Sequence, residues 1–246
     1  MIRFPKEWKF DRIKDVAIIN PCSLSANTDP DYEFKYLEIS NVDYFGIINP
    51  AAIANIRFQN APSRARRRVR KNCIVISSVR PNLQAVAFFS ENTTNLICST
   101  GFNVVKPIER YLLPKFCYFI LISDYARQYF EATATGVGYP AIDEKFFSML
   151  LLPLPSLSEQ KLITNFLDMS CYAIDAVSSE HKPSKDNNRA KGVLHYQMEA
   201  LLAYRKSLIY ECVTGKRRLT ESDVERLVQG ESGIDGAEGE QEINQG

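Results

Sequence analysis

The stretch "LLPLPSLSEQKLITNFLD", residues 151–168, divides the chain into two kinds of sequence. Pro153 and Pro155 form a Pro-x-Pro stop. Each lacks an amide donor and restricts the residue before it, so no helix runs through both. Ser156 follows at once, with Glu159 three residues on. This is an S-x-x-E capping box, whose side chains satisfy first-turn amides and start a helix. Apolar residues then recur at helical spacing at Ile163, Phe166, Ala173 and Val177, flanked by Leu167 and Ile174. Before the prolines the pattern is short and strand-like; after them it is helical.

On the helical side, Leu194, Met198, Leu201, Leu208 and Cys212 follow the steps of a heptad seam, with Arg205 in one slot. Between the two runs lies HKPSKDNNRAKG (181–192). Pro183 costs a helix interior about 3 kcal/mol, and Asn-Asn and Gly192 weaken it further. The pattern predicts two helices of about 25 and about 20 residues, each roughly 30–37 Å long, with a break near 183–192. Their apolar stripe needs a cover: the arm itself, the chain's own domain or another chain. The hard stop before the arm and the polar tail behind it favour a partner. Ile163, Phe166, Leu167, Ile174, Val177, Leu194, Met198, Leu201, Arg205 and Leu208 are therefore expected to form a dimer or partner seam. A short helix is expected over 220–228. The acidic, Gly-rich tail GESGIDGAEGEQEINQG (230–246) is expected to be disordered.

On the other side, FKYLEI (34–39), CIVISSV (73–79), AVAFF (85–89) and LICSTGFNVV (96–105) have strand length and composition, with Pro, Asn or Gly nearby. Residues 114–135 change to a helical period, and FFSMLLLPLP (146–155) reads as a strand. The expected fold is α+β. A globular domain of short strands and a few helices fills 1–156, a helical arm 157–219, and a short helix with a disordered tail 220–246.

Composition narrows the chemistry. Six cysteines stand without a C-x-x-C pair, and the two histidines, His181 and His195, lie in the arm. That spacing argues against a zinc site and a disulfide framework and fits a reducing cytoplasm, with no metal or cofactor. No apolar run reaches the ~20 residues of a membrane span, so a soluble cytoplasmic protein is expected. Gly136-Val137-Gly138 lacks the rest of any phosphate-binding loop. DPDY (29–32) departs by Asp31 from the Asp-Pro-Pro-Tyr of amino-methyltransferases, and Glu33-Phe34-Lys35 lacks the strand hairpin of a nuclease motif. The chain reads as a binder rather than a catalyst.

What it binds is suggested by SRARRRVRKN (63–72). Six of the eight residues from Arg64 to Lys71 are basic on a chain whose formal charge is only +1. As a strand, the run puts Arg64, Arg66, Arg68 and Arg70 on one face, about 6.6 Å apart, close to the ~6–7 Å between successive phosphates of one nucleic-acid strand. Arg67 and Lys71 fall to the other side or into the turn, and Ala65 and Val69 can be buried. A basic stripe on a nearly neutral protein marks a polyanion site. The plainer reading is an edge strand protected by charge. Downstream, Arg80 and Asn82 in SSVRPNLQ (77–84) and Tyr139 in the 135–143 loop are placed to meet base edges. Arg-Pro-Asn is equally good turn chemistry.

Taken in order, EWKFDRIKDVA (7–17), YLEISNVDYFGII (36–48), RVRKNCIVISSVRPNL (68–83), STGFNVVKP (99–107), TGVGYPAID (135–143), LLPLPSLSEQKLITNFLD, AIDAV (173–177) and LLAYRKSLIYECVTGKRRL (201–219) resemble one half of a DNA specificity subunit of type I restriction–modification systems. The resemblance implies a target-recognition domain followed by a helical spacer. It also implies double-stranded DNA as ligand, a methyltransferase (modification) subunit as partner and, through it, a restriction subunit. Methylation and cleavage would belong to those partners. A full subunit carries two such domains, so a homodimer through the arm is expected to restore the pair. Asn72-Cys73 stands where the family pattern has Gly-Asp, which reads as a turn variant. The competing readings are a stand-alone methyltransferase or nuclease, and an assembly protein that binds partner subunits without reading DNA.

Overall fold

The computed structural model describes residues 3–42, 46–79, 85–136, 140–180 and 188–229, with backbone alone for residues 50, 178–180 and 188–194. In chain order the strands are β1 (Lys9–Arg12), β2 (Ala17–Ile19), β3 (Glu33–Leu37), β4 (Ala54–Arg57), β5 (Ala65–Arg68), β6 (Cys73–Ser77), β7 (Val86–Phe89), β8 (Leu96–Ser99), β9 (Phe102–Pro107) and β10 (Leu151–Leu154). The helices are α1 (Ile13–Val16), α2 (Pro114–Ile122), α3 (Asp124–Thr133), α4 (Glu144–Ser148), α5 (Leu157–Glu180), α6 (Asn188–Val213) and α7 (Glu221–Val228).

An inner sheet runs β2-β9-β6-β7, an outer sheet β4-β3-β8-β5, and β1 pairs with β10 apart from both. All pairings are antiparallel except β3 with β8. β6 shows why the layers form. Its sequence CIVIS is apolar at both parities, and every residue is buried. Ile74 and Ile76 face the helical layer beside Phe116, Phe119 and Ile120. Cys73 and Val75 face the outer sheet beside Leu37, Leu96 and Cys98. A strand apolar on both faces belongs between two layers. The far face of the outer sheet carries a smaller cluster of Leu24, Phe34, Tyr36, Ala65 and Ile97.

The run LICSTGFNVV, continuous in sequence, is two strands in different sheets. The chain crosses at Thr100-Gly101, where a Cβ on Gly101 would meet Ile39 Cδ1 at 2.9 Å. The strand expected over 146–155 begins instead as α4. Asp143 caps it by accepting the Lys145 amide at 2.7 Å, and only Leu151–Leu154 pairs, with β1.

α5 starts where the capping box places it, with Ser156 Oγ accepting the Glu159 amide at 3.2 Å. The Glu159 carboxylate turns to Trp8, whose Nε1 donates to it at 3.2 Å. α5 and α6 have 24 and 26 residues. Gly192 lies inside α6, which corrects the break expected to run to 192. Glycine costs a helix only about 1 kcal/mol, and the residues around it are helix formers. Pro183 lies outside the described residues, as does the tail 230–246.

The arm does not stand away from the domain. Ile163, Phe166 and Leu167 at the start of α5 and Leu208, Ile209, Cys212 and Val213 at the end of α6 are buried in the same cluster as α2 and the inner sheet. The two helices therefore run antiparallel, and both complete the core. This corrects the preference for a partner chain as the cover of that stretch. About 25 cal/mol per Å² of apolar surface is gained wherever the cover comes from, and α2, already packed on the inner sheet, offers its apolar side within reach.

Candidate nucleic-acid interface

The basic run folds as an edge strand with an irregularity that the period of two does not anticipate. β5 pairs with β8 as Ala65 with Ser99, Arg67 with Cys98 and Arg68 with Ile97. Two steps on β5 thus match one on β8, a β-bulge centred on Arg66. The outer edge of β5 is covered too. Arg66 O accepts the Leu24 amide at 2.7 Å, Cys22 O accepts the Arg68 amide at 2.9 Å, and Ser23 bridges Arg67. Ala65 and Val69 are buried, as expected.

The bulge and the cover sort the six cations into three groups, correcting the single-faced stripe of Arg64, Arg66, Arg68 and Arg70. Arg64, Arg70 and Lys71 are exposed. Arg64 Nη2 stands 3.8 Å from Glu38, a surface pair that adds little stability. Lys71 O accepts from Lys106 Nζ at 2.9 Å, which brings a further cation beside the run. Arg66 and Arg68 are half-buried on aromatic rings, the Arg66 guanidinium 4.8 Å from the Phe58 centroid and that of Arg68 5.4 Å from Tyr32. Arg68 Nη1 also donates to Tyr32 Oη at 3.1 Å. Stacking of this kind leaves a guanidinium's charge in place and fixes its plane.

Arg67 points the other way. Its side chain is 16% exposed, against 65% for Arg64. Nη1 donates to Phe102 O and, at 3.1 Å, to Asn103 Oδ1, while Nη2 stands 3.7 Å from Glu144. Burial pushes the Arg67 pKa down, and the Glu144 carboxylate opposes the shift. The aromatic platforms Tyr32 and Phe58 and the carboxylate Glu144 have no counterpart in the reading of the sequence, because segments distant in sequence bring them to the run. Tyr32 lies in the same DPDY segment examined for catalysis. Its hydroxyl donates to Asn95 Oδ1 at 3.1 Å, so it is engaged as a structural group.

Arg80, Asn82 and Tyr139 lie outside the described residues. Their flanks do meet: Ala141 bridges both Val79 and Thr135, and Ser78 O accepts the Ile142 amide at 2.8 Å. The described flanks of the two segments thus meet at one place, beside the crossing between the sheets.

On the arm, Ile163, Phe166, Leu167, Ile174 and Leu208 are buried, and Val177 is 43% exposed. Met198 and Leu201 are half-buried, and the Leu194 side chain lies outside the described residues. Arg205, 14% exposed, pairs through Nε with Asp175 at 3.2 Å, although the angle leaves Nε without a true hydrogen bond. Tyr172, Tyr196 and Tyr204 are exposed at 78%, 75% and 54%.

Among the described residues no three His, Cys, Asp or Glu side chains gather as for a metal, and no helix is long and apolar enough to cross a membrane. All six cysteines are free thiols.

The model of the type I restriction modification DNA specificity domain matches residues 5–178. The chain is 26% identical over 164 residues to the type I restriction enzyme HindI specificity subunit of Haemophilus influenzae, an alignment covering 66% of this chain and 31% of that protein. It superposes on the HsdS subunit of Thermoanaerobacter tengcongensis with a TM-score of 0.63 and 28% identity, over 73% of this chain and 46% of that one. A chain from a structure describing complex assembly and conformational transition of the type I R-M system gives a TM-score of 0.66 and 25% identity, over 82% and 50%. The chain thus spans about a third of the curated relative and about half of the solved ones.

Proposed function

Because this chain belongs to the family of type I restriction–modification DNA specificity domains, we propose that it reads double-stranded DNA for a type I complex whose chemistry resides in other subunits. The observation that carries this is the outer-sheet edge, where exposed Arg64, Arg70 and Lys71 flank Arg66 and Arg68 held on aromatic rings. Exposed cations suit phosphates, which set position without sequence. Guanidiniums of fixed plane suit paired acceptors such as guanine O6 and N7. Arg80, Asn82 and Tyr139 are proposed to meet bases next to that edge.

The chain's share of the work is binding and orientation. A modification subunit, and through it a restriction subunit, would supply methylation and cleavage in the cytoplasm. Pairing with a second such unit, of this chain or a like one, would provide two half-sites. The exposed Tyr172, Tyr196 and Tyr204 on the arm support a contact there.

The test is duplex binding against salt. Log K should fall linearly with log salt, with a slope of about −0.9 for each phosphate neutralised. Replacing Arg64, Arg70 and Lys71 together with glutamine should weaken binding to all duplexes alike and reduce the slope by about 2 to 3. Unchanged affinity in that triple variant rules out the edge as the DNA contact.

A further inference from the structure

One cation of the run is built into the fold. The Arg67 guanidinium leaves the outer sheet, reaches Phe102 O and Asn103 Oδ1 on β9 of the inner sheet, and stands beside Glu144 at the start of α4. Asn20 completes the cluster from a left-handed backbone (φ 52), a conformation that asparagine tolerates better than most residues. Its Nδ2 donates to Glu144 Oε2 at 2.9 Å and to Asn103 Oδ1 at 3.3 Å, and its Oδ1 accepts the Val104 amide at 2.9 Å. Asn103 is 2% exposed, and its Nδ2 has no partner among the described residues. The cluster therefore joins the turn after β2 with β5, β9 and α4 through polar groups that are costly to leave unpaired.

We propose that Arg67 is a positioning residue that clamps α4 and the adjoining Ala141 bridge to the junction of the two sheets, and that it contacts no phosphate. The proposal rests on the DNA-binding reading for its functional meaning, since α4 follows directly on the 135–143 segment that carries Tyr139. A phosphate could reach this guanidinium only by displacing Glu144 and uncovering a side chain that is 84% buried (16% exposed).

The test uses the full chain, a mixed-sequence 30-bp duplex as probe, and the variants R67Q, R67K, E144Q and R70Q. R70Q should reduce the salt slope by about 0.9. R67Q and E144Q should leave it unchanged while speeding hydrogen exchange at the Phe147 and Met149 amides of α4 by about tenfold or more. E144Q alters an exposed carboxylate and so keeps this readout available where R67Q unfolds. Three outcomes overturn the clamp: a slope reduced by R67Q and restored by R67K, a slope steepened by E144Q because the guanidinium is freed for phosphate, or α4 exchange unchanged in both. If the wild-type chain fails to bind duplex, the DNA reading falls, and the exchange measurement alone still decides the clamp.

Discussion

Asn72 occupies the left-handed region (φ 62), and its Nδ2 donates to Glu109 at 2.9 Å. The resemblance leads to an expectation of glycine here, and the backbone suits it, because few side chains accept that conformation. Both variants lose that exposed hydrogen bond, so N72G should melt close to wild type, whereas N72A should lose about 1–2 kcal/mol more through strain, read from thermal denaturation. Gly215 is more constrained. At φ 68 a Cβ would lie 2.5 Å from Pro5 Cδ and 3.2 Å from Trp8, so G215A should cost about 1–3 kcal/mol in the same assay. Single residues with a fixed backbone demand were legible in the sequence as punctuation. The period of two already set Arg67 opposite Arg66 and Arg68, as the structure has it, but its partners Phe102, Asn103 and Glu144 lie far off in sequence and were not legible.

At the level of the element, the alternation rule failed where one extra residue entered β5 and succeeded where both parities were apolar, as in β6. The Pro-x-Pro stop and Ser156 marked the start of α5, and Thr220 with Asp223 closes a capping box on α7. What covers α5 and α6 was not legible. A heptad seam reports an apolar stripe but not whose surface meets it, and here the two helices meet each other and the domain's α2 and α3. Within that seam Arg205 leans on Asp175. Removing the carboxylate leaves a largely buried guanidinium alone, whereas replacing the guanidinium leaves an aspartate half in water, which is cheap. D175A should therefore cost about 1–2 kcal/mol and R205M less than about 0.5 kcal/mol in urea titration. The reverse order would show that the pair does not fix the helix register.

For the whole molecule, the buried thiols report how tightly the layers close. Burial pushes Cys98 and Cys212 up to about 12 and Cys171 to about 11, and raises Cys73 and Cys117 as well. A raised pKa means that the folded chain keeps its thiols neutral while the unfolded chain ionises them near 9. Their contribution is therefore complete below that pH and is lost as pH climbs from about 9 toward 12. The urea midpoint should fall across that range. A thiol reagent at neutral pH should label Cys22, the half-exposed one, well before the other five; rapid labelling of all six in the native chain would show layers looser than described.

The inner sheet also separates two packing problems. The helical layer meets one of its faces and the outer sheet the other, and the small cluster of Leu24, Phe34, Tyr36, Ala65 and Ile97 closes the far side independently. Substitutions around Tyr32, Phe58, Arg66 and Arg68 are thus insulated from α5 and α6. If the outer surface reads DNA as proposed, a lineage can rewrite it while leaving α5 and α6 untouched, so new specificities are open to it through few, individually tolerable steps.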